Sequence, residues 1–414
     1  MNTRTLLLPA LAIAVMCSAG AYSADRSPQL AAEIDFADHQ TELLPRGVHR
    51  QSAAEGLAED LALVAKAKGW TIKQAAADRK MADVIGAIAA KLAVERPDIF
   101  VGSVLSEKPG GVPSLYIKGY ADQAVYELLV AAPVDIDLVD RQPYSFNELE
   151  ALKLQVHSTL ADQGYQDIAT SFDFQARVPI QALITVQTKL PTLAPEIAAL
   201  LPATIRDSVA ITLTTEPVGV DFYAYGGMAV QDDGVFECTS GWSVIRNGSN
   251  LTGITTAGHC NGINQIVHPG VGAHTAVHQN QHRGIWGDIE WKTTNATESA
   301  EFYASATAIR KVTSVEPRAS ISIGESICFY GRSSNQRFCQ YDVSALSVSC
   351  TVSGVFNDRL VRMNGNSAIG GDSGGGWSWN NRAYGSVKGI CGGGAVFSVA
   401  DLYDEALGVR VRTQ

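Results

Sequence analysis

Past Cys17, every cysteine of this 414-residue chain lies in its second half: Cys238, Cys260, Cys328, Cys339, Cys350 and Cys391. No two of them are spaced C-x-x-C, so the set does not show metal-site spacing. An even number of cysteines in an exported chain reads as a disulfide framework, here of three bonds. A cysteine-free stretch therefore precedes a stapled one, and the two halves should fold differently.

Export is what the N-terminus predicts. Arg4 gives a positive start, Leu6 to Met16 is an apolar run too short for a membrane span, and Ala19-Gly20-Ala21 offers a small-residue cleavage site. Ala21-Tyr22-Ser23 is a second choice for that cut. The signal is assigned to residues 1–21, and Cys17 is lost with it. The expected location is extracellular, and no later segment is apolar and long enough to span a bilayer. A net charge of -10 argues against a nucleic-acid partner, whose affinity comes mainly from cationic contacts.

Residues 22–216 are rich in Ala, Leu, Lys and Glu. Leu57, Leu61 and Val64 recur at helical spacing ahead of Gly69, a C-cap residue. Thr71-Ile72-Lys73-Gln74 and Ser145-Phe146-Asn147-Glu148 read as capping boxes. The first opens a helix that stops before Pro97, and the second a helix closed by Gly164. A further helix is expected over Tyr120 to Ala131. Strands are expected over Ile99 to Leu105, Ser114 to Lys118, Val134 to Val139 and Ile168 to Phe174. This region is α+β. From about Thr214 to Tyr225 the composition shifts to short strands and Gly/Asn/Ser turns, including a hairpin around Asn247-Gly248.

Two segments of the second half carry chemistry. Thr256-Ala257-Gly258-His259-Cys260 offers a histidine beside a cysteine that can staple it. Gly371-Asp372-Ser373-Gly374-Gly375 offers a serine in a glycine-rich turn. A serine hydroxyl is a weak nucleophile until a base takes its proton, and histidine has the pKa for that task. Glycines let backbone N–H groups approach a developing oxyanion.

In this order and at this distance the two segments resemble the chymotrypsin-like serine proteases, the alpha-lytic protease and streptogrisin branch in particular. The resemblance implies an all-β catalytic domain of two antiparallel β-barrels over 217–414, preceded by an α+β pro-region over 22–216. In that branch the pro-region assists folding, inhibits the enzyme and is cut away. The implied activity is hydrolysis of protein and peptide substrates by a monomeric enzyme with no cofactor and no metal.

The implied triad is His259, Asp288 and Ser373. Asp288 sits in Gly287-Asp288-Ile289-Glu290-Trp291 ahead of an apolar strand, with Glu290 and Asp342 as rivals. Gly371 and Ser373 would supply the oxyanion-hole N–H groups. The resemblance also implies the pairs Cys238–Cys260 and Cys328–Cys339, leaving Cys350 with Cys391. It further implies an ion pair of Asp372 with Arg332, in Cys328-Phe329-Tyr330-Gly331-Arg332-Ser333-Ser334.

Gly385-Ser386-Val387-Lys388-Gly389 resembles the strand that pairs with substrate, but the family usually has serine where Lys388 aligns. A shifted alignment would use Cys391-Gly392-Gly393 instead. His268, His274, His278 and His282 show even spacing without an H-E-x-x-H pattern, and are read as solvated surface residues. Two rival functions are a catalytically silent binding or adhesion protein on the same scaffold, and an esterase. Against the esterase stands the chain order His259, Asp288, Ser373, since enzymes with the G-x-S-x-G nucleophile elbow place the serine first and the histidine last.

Overall fold

A computed structural model describes residues 47–414 apart from 188, 189, 217, 222–226, 261, 269–271, 297 and 353. The expected signal over 1–21 lies outside the described residues. The first described half is α+β, as expected. Helix α1 (Ala53–Lys68) starts at a capping box of Ser52 with Glu55 and ends on Gly69 in the left-handed region. Helix α2 (Ile72–Glu95) starts at the Thr71–Gln74 box. Strands β1 (Phe100–Val104) and β2 (Ser114–Lys118), helix α3 (Gln123–Val130) and strand β3 (Asp137–Gln142) follow. Strand β3 lies further along the chain than the expected Val134 to Val139. Its parallel register on β2, Ser114 opposite Asp137, sets its limits rather than the apolar run.

Helix α4 (Phe146–Asp162) begins at the Ser145–Glu148 box. Strands β4 (Ile168–Phe172), β5 (Ile180–Thr185) and β6 (Val209–Thr214) then lead to the short strand β7 (Gly219–Asp221).

The second half is all-β, as the resemblance implied. Its first sheet uses β8 (Ala229–Asp232), β9 (Val235–Thr239), β10 (Ser243–Arg246), β11 (Thr252–Thr256), β12 (Gln265–His268), β13 (Gly272–Gly284) and β14 (Gly287–Thr294). The hairpin between β10 and β11 turns through Gly248 at φ 69°, where Asn-Gly was expected to turn. After an antiparallel pair, β15 (Glu301–Ser305) and β16 (Ala308–Lys311), the chain enters the second sheet. That sheet holds β17 (Cys328–Gly331), β18 (Gln336–Phe338), β19 (Val343–Val352), β20 (Val355–Met363), β21 (Gly376–Trp379), β22 (Arg382–Cys391) and β23 (Gly394–Val399). Strand β24 (Val409–Val411) returns to pair with β10. The disulfides are Cys238–Cys260, Cys328–Cys339 and Cys350–Cys391, as expected.

The second sheet does not end with the β domain. Its order is β18-β17-β21-β22-β23-β20-β19-β4-β5-β6, so three strands of the first half extend it. Strand β4 pairs antiparallel with β19, Ile168 opposite Thr351. All five residues of β4 are buried, since sheet continues on both edges and α4 packs on it.

Buried ion pairs join the halves as well. Lys153 Nζ of α4 is 2.6 Å from Asp358 Oδ1, with neither side chain exposed. His157 of α4 bridges Thr170 Oγ1 (3.0 Å) and Thr351 Oγ1 (2.7 Å). Burial pushes the His157 imidazole down to about 4, so it stays neutral in the fold. The unfolded chain binds a proton there near pH 6.5, so the stabilising term is complete above that pH. It is lost as pH falls from about 6.5 to about 4, by on the order of 3 kcal/mol. Urea unfolding across this range should show that slope, and His157→Gln should flatten it.

Candidate active site

Asp288 stands near the start of β14, just after the turn from β13. Its N–H donates to Ser398 Oγ of β23 at 2.8 Å, and Ser398 Oγ donates back to the Asp288 carbonyl at 3.1 Å. These two bonds tie the first sheet to the second at the aspartate. His259 follows β11, in a loop whose end is anchored by the Cys260 disulfide. Ser373 lies in the turn leading to β21. Gly374 there has φ 90°, and a Cβ on it would run into the Thr239 carbonyl oxygen, so only glycine fits. The Ser373 carbonyl accepts from Thr239 N at 2.8 Å, and Thr239 Oγ1 donates to the Gly371 carbonyl at 2.8 Å.

These elements bring His259, Asp288 and Ser373 into line. His259 Nδ1 is 2.6 Å from Asp288 Oδ2, and His259 Nε2 is 2.9 Å from Ser373 Oγ. All three residues are buried. Burial alone would push the Asp288 carboxyl up. The charge and hydrogen bond of His259, with Lys388 and Arg283 behind them, hold it below the ordinary carboxylate range.

The rival carboxylates stand elsewhere. Glu290 is engaged by Lys292 Nζ at 3.2 Å and His278 Nδ1 at 3.4 Å. Burial pushes it up to about 7. Asp342 pairs with Lys68 Nζ at 2.8 Å and accepts from Ser326 Oγ at 2.7 Å. Of the four even-spaced histidines, His278 is exposed, His274 is half-buried, and His282 Nε2 accepts from Trp286 N at 3.1 Å. The side chain of His268 lies outside the described residues.

The expected Asp372–Arg332 pair is corrected. Asp372 Oδ1 accepts from the backbone N–H of Ser333 and Ser334, and Oδ2 from that of Ile369, each at 3.1 Å. Arg332 donates instead to Asn335 Oδ1 at 3.3 Å. The physical reason is the turn after β17. Gly331 has no Cβ to strike the carboxylate, so the chain curls close and offers N–H groups where a side chain was expected. Burial still pushes the Asp372 carboxyl up against these three donors. Arg332→Ala should therefore change stability by no more than about 0.5 kcal/mol and leave turnover intact. Asp372→Ala, which orphans three N–H groups beside Ser373, should impair both. Thermal unfolding and turnover of the two variants check this.

Lys388 stands beside Ser373. Its carbonyl oxygen is 3.4 Å from Ser373 Oγ, whereas Cys391 is tied to Cys350. Sequence reasoning missed Ser398 and Arg283. Nothing local marks Ser398, which lies 110 residues beyond its partner. Arg283 was detectable, because a tight turn at Gly284–Gly287 sets Arg283 opposite Asp288.

No family model matches the sequence, and no curated protein matches it. Among solved structures the chain is similar to a glutamic acid specific serine protease described as using a histidine triad in substrate binding. The two share 21% identity at a TM-score of 0.37, over 45% of this chain and 99% of that one. It is also similar to the Nocardiopsis protease NAPase, at 20% identity and a TM-score of 0.37, over 45% of this chain and 98% of that one. An alpha-lytic protease homologue, N4, matches at 18% identity and a TM-score of 0.35, over 45% of this chain and 97% of that one.

Proposed function

We propose that this chain is the precursor of a secreted serine endopeptidase. The observation that carries the reading is the hydrogen-bonded line from Ser373 Oγ through His259 to Asp288. Ser373 Oγ attacks the peptide carbonyl while His259 Nε2 takes its proton. Asp288 holds the imidazole with Nδ1–H toward itself and stabilises the cation that forms. The oxyanion is received by the N–H groups of Gly371 and Ser373. His259 then protonates the leaving amine, and water repeats the sequence on the acyl-enzyme. The chemistry requires no cofactor.

The first half acts as pro-region in this reading, as folding aid and inhibitor. Strand β19 finds its edge partner in β4, so the catalytic half alone would leave that edge of its sheet open. Strand β7, which the expected boundary at 217 assigns to the enzyme, pairs antiparallel with Gly389–Cys391 of β22. It ends one register step from Lys388, whose carbonyl adjoins Ser373 Oγ. That course suits a last strand of the pro-region lying where substrate backbone runs. Burial of His259 and Ser373 supports the same view of the full chain as a blocked form.

The test is to express the full chain, read the N-terminus of the product and profile its cleavage of a peptide library. Discrete peptide cleavage, with a new N-terminus soon after Asp221, is expected. An unprocessed chain that cleaves no peptide would reject the reading.

A further inference from the structure

We propose that Lys388, aided by Arg283, sets the protonation of the His259–Asp288 pair and so keeps the enzyme working into acidic solution. The inference rests on the peptidase reading above and deepens it. Lys388 is buried without exposed surface, and its Nζ lies 3.9 Å from Asp288 Oδ2. That oxygen is the one that accepts from His259 Nδ1. Arg283 Nε approaches the other oxygen, Oδ1, to 3.6 Å. Among the described residues Oδ1 has no hydrogen-bond partner, so the guanidinium meets it through charge alone. Both cations are fixed by strands. Lys388 rides on β22 beside Ser373, and Arg283 is paired across the hairpin with Asp288 itself.

The other groups around Asp288 do not cancel this charge. His282 of β13 faces it, and Ser398 of β23 is uncharged. Glu290, on the same strand, is taken up by Lys292 and His278. One carboxylate therefore faces two cations within 4 Å before His259 is counted.

An ionised aspartate beside an imidazole stabilises the imidazolium and so raises its proton affinity. Cations on the far side of the carboxylate offset that field. Only neutral His259 can take the proton of Ser373, and with the offset it persists to lower pH. The interaction is strong because Lys388 is shielded from water and salt, unlike a surface lysine. The same cations disfavour the imidazolium formed during reaction, so acid range is gained at some cost in maximal rate.

The test compares Lys388→Met, which keeps the length of the side chain and removes its charge, with Arg283→Gln, Lys388→Arg and the parent. Each is expressed as the full chain, and kcat/KM on one peptide substrate is followed against pH. The His259 imidazole is titrated in parallel by NMR. In Lys388→Met the acid limb and the His259 titration should both move up by about one pH unit, roughly a tenfold loss below the limb. The alkaline plateau should change by less than the acid limb does. Arg283→Gln should move the same way by less, and Lys388→Arg should restore the parent profile.

A limb and a titration that stay in place in both charge-removing variants would overturn the proposal, as would an equal loss at every pH. Should Lys388→Met fail to fold, an unmoved Arg283→Gln overturns it alone. A parent that hydrolyses no peptide rejects the peptidase reading instead, and the NMR titration still decides the role of Lys388.

Discussion

Replacing Ser373 by alanine is expected to lower kcat/KM for peptide hydrolysis by on the order of a millionfold, the scale of loss when a triad nucleophile is removed. The side chain makes few contacts that alanine would lose. Its hydroxyl lies 2.9 Å from His259 Nε2, while its backbone carbonyl keeps its bond from Thr239. The variant should therefore fold as the parent does and accumulate as an uncut chain. Asp288→Asn should also be severe, about 10⁴-fold, because the amide holds the wrong imidazole tautomer. Steady-state kinetics on purified protein decide both. A Ser373→Ala sample with parental turnover would remove the nucleophile from the account.

The largest stability effect is expected at Asp60, far from the catalytic line. This fully buried residue of α1 reaches between two arginines of the β domain. Arg337 contacts it at 2.7 Å and 2.9 Å, Arg310 Nη1 at 3.0 Å, and Asn380 N donates to it at 2.7 Å. Asp60→Ala leaves buried guanidinium groups without their carboxylate, a loss of about 3–5 kcal/mol. Glu59, 2.7 Å from Arg310, softens it for one of the two. Urea unfolding of the Ser373→Ala chain with and without Asp60→Ala isolates the effect from self-cleavage. A difference below about 1 kcal/mol would mean that α1 does not dock through this residue.

Local signals in the sequence read well. The boxes at Thr71 and Ser145, the C-cap at Gly69 and the turn at Asn247-Gly248 each depend on residues a few positions apart, and each lies where expected. The segments around His259 and Ser373 were legible because their chemistry needs those residue types in close sequence. What escaped was non-local. Strand β4 was read as extended, but its partner β19 lies about 180 residues on, and no pattern in either announces the pairing. The role of Asp60 is hidden likewise, since a charged residue on a helix ordinarily faces water. At Asp372 the need for stabilisation was read correctly and the donor wrongly, because backbone N–H groups leave no signature in a sequence. Lys388 stood out only as a departure from a pattern, and its nearness to Asp288 comes from two separate sheets packing together.

The central claim is that Ser373 is a nucleophile activated by His259. Its most direct test is covalent labelling of the purified protein by a serine-directed fluorophosphonate, with the adduct located by peptide mass mapping. The account predicts one adduct per active chain, on Ser373, lost in His259→Ala. Labelling absent from the processed parent chain, or falling on a different serine, would contradict it.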